Sequence, residues 1–153
     1  MSNQAVEVAI AILYRHNKFL FQLRDNIPKI VYPGHWGLFG GHLDPGETAK
    51  VAIERELLEE IGYPLPSISK FGCYHDARVI RHVYHAPLTV ELNQLVLSEG
   101  WDMDLLTPEQ ITQGNCYSAK ADQVLPLVPA AQRILLDFIS KGRDEIYPEH
   151  YKQ

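Results

Sequence analysis

The sequence predicts an α/β protein in which a mixed β-sheet carries helices on both faces. Three observations favour this class. Val- and Ile-rich runs typical of strands open the chain, a helix over about 49–61 interrupts the strands, and an amphipathic helix over about 129–141 follows them. The chain has 153 residues, the length of one domain, and we expect a single domain over 1–153.

The strand predictions rest on short runs of β-branched and aromatic residues. Residues 5–14 alternate little between apolar and polar, which indicates a strand buried on both faces. Residues 18–24 form a second strand, reached through a hairpin turn at 15–17. Residues 25–35, with two prolines and a glycine, are typical of a loop. Further strands are predicted at 36–39, 69–77, 79–85, 88–97 and 101–106.

Local signals mark both ends of the first helix. Pro45 and Gly46 occupy the positions that a type II turn requires, and Thr48 is a good N-cap. Gly62 stands at the C′ position with Pro64 just beyond it, so the helix ends there.

Two later helices have similar signals at their starts. Residues 107–110 read Thr-Pro-Glu-Gln, a capping box with proline at the first helical position. Pro129 opens the last helix, whose apolar residues follow from Ala131 at helical spacing, and Gly142 comes after it. Helices are therefore expected after the strand at 101–106 and again near the end of the chain.

Charge and cysteine content exclude several classes of protein. Fourteen basic and nineteen acidic residues give a net charge of −5, which is unfavourable for coating nucleic acid. Cys73 and Cys116 form no metal or disulfide pattern and are expected to be reduced thiols of a cytoplasmic protein. The apolar run at 5–13 is too short to span a membrane. A homodimer through the first strand or the loops stays an open alternative.

Three glutamates make the helix at 49–61 unusual. Glu56, Glu59 and Glu60 are i, i+3 and i+4 neighbours, and such like-charge pairs cost a helix roughly 0.2–0.5 kcal/mol each. Glu59 and Glu60 also lie in the last turn, where the helix dipole disfavours anions by roughly 0.3–1 kcal/mol each. A bound Mg²⁺ or Mn²⁺ would compensate this charge, because both ions prefer carboxylate oxygens. The alternative is a solvated acidic face.

The residues around these glutamates complete a longer pattern. It reads G-x5-E-x7-R-E-U-x-E-E-x-G-U, where U is a bulky apolar residue, and it resembles the Nudix box. At about 5–7% usage per residue type, a chance match is on the order of 10⁻⁹ per window. Tyr63 stands at the final apolar position, and Phe39 precedes the glycines where many family members have proline. The matched fixed positions are Gly41, Glu47, Arg55, Glu56, Glu59, Glu60 and Gly62.

The resemblance implies a Nudix-type α/β/α sandwich and metal-dependent hydrolysis of the pyrophosphate bond in a nucleoside diphosphate linked to another group. A nucleoside triphosphate or nucleotide sugar is favoured, because the proline or tyrosine that marks other members at a fixed distance after Tyr63 is absent. An ADP-ribose or dinucleoside-polyphosphate pyrophosphatase is one alternative. A catalytically inactive nucleotide-binding or sensing module is another, although such modules typically lose carboxylates that this chain keeps.

The resemblance also implies roles for single residues. Glu59 is a metal ligand or the general base, and Arg55 orients the neighbouring glutamates through Glu47. The carbonyl of Gly40 is included as a ligand because glycine permits a close approach of the backbone. The implied metal ligands are Glu56, Glu60, Glu59 and Gly40.

A further acidic residue lies far from the box. Glu99 stands between a predicted strand and the run at 101–106, where many Nudix enzymes supply another acidic ligand or base. The alternative is an ordinary turn residue beside Gly100. We expect Glu99 to join the catalytic group.

Substrate contacts are predicted from residue type and position. His42 follows the glycine pair and is placed to meet a phosphate, and Arg24 ends a strand where it can contact phosphate or base. Trp36 and Phe39 are assigned to stacking on a base, with Tyr74 as a further candidate. The alternative for each aromatic ring is the hydrophobic core.

A zinc site is not expected at the histidine pair of the predicted strand over 79–85. His82 and His85 are three residues apart, so their side chains point to opposite faces of the sheet.

Overall fold

The structure is a computed structural model and describes residues 5–142. Within this range no helix is long and apolar enough to cross a membrane. The helices are α1 (Ala49–Ile61), α2 (Pro108–Gln113) and α3 (Pro129–Asp137), with a 3-10 turn at Leu92–Gln94 and a π-helical turn at Phe138–Gly142. The strands are β1 (Val6–Arg15), β2 (Lys18–Leu23), β3 (Trp36–Gly37), β4 (Phe39–His42), β5 (Ser69–His75), β6 (Val79–Pro87), β7 (Asp102–Leu106), β8 (Asn115–Ser118) and β9 (Gln123–Pro126).

The main sheet contains parallel and antiparallel strands, and its strands β1 and β2 separate after a short paired segment. Its strand order is β3-β2-β1-β6-β5. In addition, β7 pairs with β2 and β4 pairs with β1, and β1 runs parallel to β6. β1 pairs with β2 only at Tyr14 and Arg15, whereas its residues 8–11 pair with β4. β3 pairs with the far end of β2. The chain over 36–42 therefore bridges the gap between the diverging strands.

Helices cover both faces of this sheet, as the sequence predicts. Ala9 and Ala11 of β1 pack in the same buried cluster as Ile53 and Leu57 of α1. Ile12 alternates with them and faces the other cluster, which holds the buried residues of α3. β1 is thus buried on both faces, and the predicted mixed α/β class with a helix on each face is confirmed.

The local signals for α1 and for the first hairpin work as predicted. Thr48 accepts a hydrogen bond from the Val51 backbone N–H at 3.2 Å, and Gly62 ends α1 with a φ of 66°. His16 and Asn17 have φ values of 52° and 62°, the left-handed conformation that a two-residue type I′ hairpin turn requires. The predicted bounds of α1, 49–61, are those observed.

The prediction of a strand at 88–97 is wrong. β6 continues to Pro87, and the following residues form an irregular segment with one 3-10 turn. Glu91, which lies within the predicted strand, caps that turn instead. Its backbone N–H donates to the Gln94 side chain at 2.8 Å, and its carbonyl accepts the Gln94 N–H at 2.9 Å. These local bonds compete with strand pairing, which explains the failure.

The end of the described chain also differs in detail from the prediction. The last helix, predicted to about 141, is α-helical only to Asp137 and continues as the π-helical turn. The capping box over 107–110 is confirmed at the start of α2. The hairpin of β8 and β9 has no counterpart in the prediction, because its strands are only four residues long and show no clear alternation.

The two histidines of β6 face opposite sides of the sheet, as predicted. The His82 ring contacts the Glu7 carboxylate at 2.8 Å on the side of the sheet that carries Ala9. The His85 ring is buried beside Phe138 on the other side, where burial lowers its pKa to about 4.

Candidate active site

The glutamates of α1 line a cleft at the helix C-terminus. α1 directs its fully buried residues toward the sheet, and its glutamates occupy the adjacent side, where Glu56 and Glu60 are half-buried against β4 and Glu59 is exposed. The cleft has a volume of about 220 Å³. The residues that line it are Glu56, Glu59, Glu60, Ser98 and Glu99. The structure therefore brings Glu99 next to the three box glutamates, 39 residues away from the last of them in sequence.

Hydrogen bonds dock the segment before Glu99 onto the end of α1. The Val96 N–H donates to the Ile61 carbonyl at 3.2 Å, and the Ser98 N–H donates to the Glu60 carbonyl at 2.9 Å. The Ser98 hydroxyl donates to the Glu59 carbonyl at 2.8 Å. Carbonyls in the last turn of a helix have no partner within the helix, so these bonds satisfy them while they position Glu99.

Ser98 is therefore expected to act as a positioning residue for Glu99. Replacing it by alanine should lower kcat about tenfold with little change in KM, because a small displacement of a reacting group is costly. The conservative Ser98→Thr variant should recover most of the activity. Steady-state kinetics of both variants checks this, with Ser67→Ala on an exposed loop as control. An unchanged kcat in Ser98→Ala would contradict it.

Glu60 is the carboxylate most withdrawn from solvent in the cleft. Its Oε1 accepts a hydrogen bond from the Gly40 backbone N–H at 3.1 Å, and it is also hydrogen-bonded to the Gln22 side chain. Burial, followed by the nearby charge of Glu56, raises the pKa of Glu60 to about 8. The ionised form of this residue thus lacks sufficient compensating charge from the protein itself.

Arg55 ties the loop before α1 to the glutamates. Its Nε and Nη2 donate to the two carboxylate oxygens of Glu47 at 2.8 and 2.9 Å, and its Nη1 donates to Glu56 at 3.0 Å. Nη2 also donates to the His42 carbonyl at 3.2 Å. The Arg55 hydrogen bonds, with one from the Asp44 N–H, lower the pKa of Glu47 to about 2. The Arg55–Glu47 pair suggested by the sequence pattern is thus present as a bidentate ion pair.

The two glycines of β4 are required for different reasons. A Cβ on Gly40, whose φ is 155°, would lie 2.1 Å from the Ala9 backbone oxygen, which cannot move. A Cβ on Gly41 would lie 2.5 Å from the carboxyl group of Glu56, which is the mobile end of a side chain. Gly40 is therefore needed by the fold and Gly41 by the position of one glutamate.

Alanine at each glycine is expected to separate these two roles. Gly40→Ala should destabilise the protein by about 2 kcal/mol or more, because β4 must leave β1. Gly41→Ala should leave the unfolding midpoint nearly unchanged and lower activity, since Glu56 is pushed out of place. Denaturant unfolding and hydrolysis assays of the two variants test this. Equal loss of stability in both would refute the distinction.

Arg24 and His42 lie together in a second depression, on the sheet face opposite α1. This depression is called the near cavity. It has a volume of about 310 Å³, and Val8 and Ile10 of β1 contribute to its apolar wall. The Arg24 Nε donates to the Val31 carbonyl at 2.7 Å. Because side chains alternate along a strand, β4 directs Gly41 toward Glu56 and His42 into the near cavity. β4 therefore contributes to the near cavity through His42 and contacts the glutamates of the cleft through its two glycines.

The structure does not bring Trp36 and Phe39 into either cavity. Trp36 is 0% exposed, and its indole N–H donates to the Cys116 carbonyl at 3.0 Å. Phe39 is 1% exposed and packs in the cluster that contains the buried residues of α1. Both rings are core residues in the structure, so the assignment of these two residues to base stacking is corrected. A ring enclosed on both faces has no surface to offer a base.

The sequence did not predict two residues of the site, Ser98 and Gln22. Ser98 has no distinguishing sequence signal, because its partners are carbonyls at the end of a distant helix. Gln22 is only 9% exposed within the otherwise apolar run 19–23 of β2, and a polar residue in such a run is a signal that the sequence offers.

The donors of the cleft fit a hard divalent cation. All its glutamate donors are carboxylate oxygens, the ligands that Mg²⁺ and Mn²⁺ prefer, and a cation there would stabilise the ionised form of Glu60. In the part of the chain that the structure describes, no three potential ligands already converge on one point. Glu59 and Glu99 are exposed, so their side chains have the freedom to turn toward an ion.

Comparison with known proteins identifies the family to which the chain belongs. The model of the family described as the NUDIX domain matches residues 4–127, most of the chain. The chain belongs to the Nudix family. Nudix hydrolases generally use divalent metal ions, in accordance with the carboxylate cleft of this member.

Curated relatives match this Nudix chain over short segments. A putative 8-oxo-dGTP diphosphatase of Bacillus subtilis is 37% identical over 65 residues, which cover 42% of this chain and 40% of that protein. The nucleoside triphosphatase NudI of Enterobacter sp. is 53% identical over 32 residues, 21% of this chain and 23% of that protein. The chain thus aligns with less than half the length of these relatives.

Solved structures share the Nudix fold over nearly the whole chain. A solved structure from a study of MutT from Aliivibrio salmonicida and Vibrio cholerae has a TM-score of 0.69 at 16% identity. The match covers 90% of this chain and 99% of that one. The NUDIX domain of Shewanella oneidensis NrtR, crystallised with ADP ribose, has a TM-score of 0.68 at 19% identity, covering 90% and 88%. At these identities the likeness establishes the fold, and the predicted Nudix-type architecture is confirmed.

Proposed function

We propose that this Nudix protein hydrolyses the pyrophosphate bond of a small nucleotide with the help of Mg²⁺ or Mn²⁺, with nucleoside triphosphates and nucleotide sugars as the favoured substrates. The observation that carries the proposal is the cleft in which Glu99 joins the three glutamates of α1. The relatives named as nucleoside triphosphatases and as a putative 8-oxo-dGTP diphosphatase support the substrate class.

The glutamates would hold the ion and activate water. Glu56 and Glu60 are the proposed ligands, with the Gly40 carbonyl as a further one, and Glu59 and Glu99 share the roles of ligand and general base. The bound ion would supply the positive charge that an acidic cleft needs in order to accept a diphosphate, and would lower the pKa of nearby water. The base would then accept the proton of the water molecule that attacks phosphorus.

The remaining residues would position these groups and the substrate. Arg55, through its ion pair with Glu47, keeps Glu56 turned toward the cleft and joins the loop after β4 to α1. Arg24 and His42 would contact the nucleotide in the near cavity, on the other side of β4. A substrate that crosses β4 would place its pyrophosphate beside the glutamates and its nucleoside in the near cavity.

Hydrolysis by charge-neutral variants tests the proposal. Glu59→Gln and Glu60→Gln should lose Mg²⁺- or Mn²⁺-dependent release of phosphate or nucleoside monophosphate from a panel of nucleotides. Glu54→Gln is the matched control, because Glu54 belongs to α1 but does not line the cleft. Undiminished turnover in either cleft variant would overturn the assignment. Nucleotide binding without turnover by the wild-type protein would identify a binding module instead.

A further inference from the structure

The near cavity continues into a second one along the same face of the sheet. This far cavity has a volume of about 280 Å³, and Tyr74, His75 and Arg133 are among the residues that line it but not the near cavity. The residues that line both cavities are Tyr32, Arg81, Ala130 and Ile134. The two cavities therefore adjoin along α3. Together they are called the groove, which extends from His42 of β4 in the near cavity to Tyr74 and His75 of β5 in the far one. Pockets for drug-sized ligands are about 300–1,000 Å³, so the groove has room for more than one nucleoside-sized group.

The charge of this groove is opposite to that of the glutamate cleft. Arg24 lies in the near cavity, Arg81 lines both cavities and Arg133 lies in the far cavity. Among residues 5–142, no acidic side chain lines the near cavity, and Asp76 is the acidic residue of the far one. In a chain with a net charge of −5, three arginines in one groove indicate a surface suited to anions.

The partners of these arginines differ. Arg81 is paired with Asp76 at 2.7 Å, and Arg24 donates its Nε to the Val31 carbonyl at 2.7 Å. No ion pair joins Arg133 to any carboxylate within the described range, 5–142. Arg133 therefore has a charge that the described protein does not neutralise.

Arg133 is also held in a defined place. Its guanidinium carbon lies 5.5 Å from the centre of the Tyr74 ring, and the Tyr74 hydroxyl donates to the Asp137 carboxylate at 2.8 Å. This bond fixes the ring, and it engages the acidic residue one helical turn after Arg133. The guanidinium thus lies over an aromatic ring, and both Arg133 and Tyr74 line the far cavity.

We propose that the far cavity binds an anionic group, a phosphate, which the substrate carries away from its scissile pyrophosphate. The inference rests on the proposed function and narrows its substrate class. The preferred substrate is a nucleotide with a second anionic group beyond the part held in the near cavity, and Arg133 is the specificity-determining residue for that group.

A matched substrate pair tests this in the whole chain with Mg²⁺. NADPH and NADH differ by one phosphate on the adenosine ribose, which belongs to a nucleoside that the near cavity would hold. We expect kcat/KM to be about tenfold higher for NADPH, because a charge-assisted hydrogen bond is worth about one order of magnitude or more.

A binding measurement makes the test independent of turnover. Adenosine 2′,5′-bisphosphate and adenosine 3′,5′-bisphosphate contain no pyrophosphate bond, and titration calorimetry can compare each with AMP. At least one bisphosphate should bind about tenfold more tightly than AMP to the wild-type protein.

Variants assign the effect to the far cavity. Arg133→Gln should remove the preference for the more anionic compound, and Arg133→Lys, which keeps the charge, should retain part of it. Arg78→Gln is the control, because Arg78 is exposed and lines neither cavity. Melting curves of the variants would verify folding.

The outcomes separate this inference from the proposed function. Equal kcat/KM values for NADPH and NADH with bisphosphates that bind no more tightly than AMP, or a preference that survives Arg133→Gln, would overturn the inference while hydrolysis itself persists. Absence of turnover with every nucleotide would overturn the proposed function, and the inference with it.

Discussion

Replacing Glu60 by glutamine is expected to abolish hydrolysis and to stabilise the metal-free protein. Both effects have the same origin. Burial and the charge of Glu56 raise the pKa of Glu60 to about 8, so its ionised form is unfavourable in the folded state without a cation. Glutamine has nearly the same shape, and its amide oxygen can still accept the Gly40 N–H, but it has no charge to bury.

The pH dependence of this effect has a definite sign. The unfolded chain releases the Glu60 proton near its ordinary pKa of 4.5, whereas the folded chain retains it to about pH 8. The folded state therefore binds more protons between these values. The contribution of Glu60 to stability is fully present below pH 4.5 and is lost as the pH rises through 8. Each pKa unit corresponds to about 1.4 kcal/mol, so Glu60→Gln should be more stable than wild type by about 2 kcal/mol or more at pH 9.

Denaturant unfolding from pH 5 to pH 9 measures this difference. The advantage of Glu60→Gln should be small at pH 5 and should grow toward pH 9, with Glu54→Gln showing no such trend. Added Mg²⁺ or Mn²⁺ should stabilise the wild type and have much less effect on Glu60→Gln, because ligands that bind the folded state raise its stability. If Glu60→Gln is less stable than wild type at pH 9, the ionised Glu60 carboxylate does not destabilise the folded protein.

The region around Glu60 also illustrates which features the sequence alone could predict. α1 is found at its predicted bounds, because its limits depend on residues within or next to it, Thr48 and Gly62. The three glutamates of α1 lie on one side of the helix as predicted, since a spacing of three and four residues places them there in any α-helix.

Features that depend on distant contacts were predicted less well. The resemblance suggested Glu99 as part of the site, but the bonds of Val96 and Ser98 to the end of α1, which bring it there, join segments far apart in sequence. Trp36 and Phe39 were misplaced for a related reason. Their strands contain two and four residues, too few for an alternation pattern to indicate which side is buried.

Replacing Arg55 should cause a large loss of activity at a modest cost in stability. Arg55 makes four hydrogen bonds of 3.2 Å or less, two to Glu47 and one each to Glu56 and the His42 carbonyl. Lysine cannot reproduce this arrangement, because it lacks the planar fork that donates to both oxygens of a carboxylate. Arg55→Lys and Arg55→Ala are therefore both expected to lower kcat by about 100-fold, the cost of misplacing catalytic groups by about 1 Å.

The titration of Glu47 distinguishes a positioning role from general destabilisation. In the wild type the hydrogen bonds from Arg55 hold its pKa near 2, so its contribution to stability is present above pH 4.5 and is lost as the pH falls toward 2. In Arg55→Ala the pKa should return toward 4.5, which carboxyl NMR can follow. Lys50→Ala, which removes an exposed cation from the same helix, should change neither kcat nor the Glu47 pKa. A Glu47 pKa that stays near 2 without Arg55, or full activity in Arg55→Lys, would show that this ion pair does not organise the cleft.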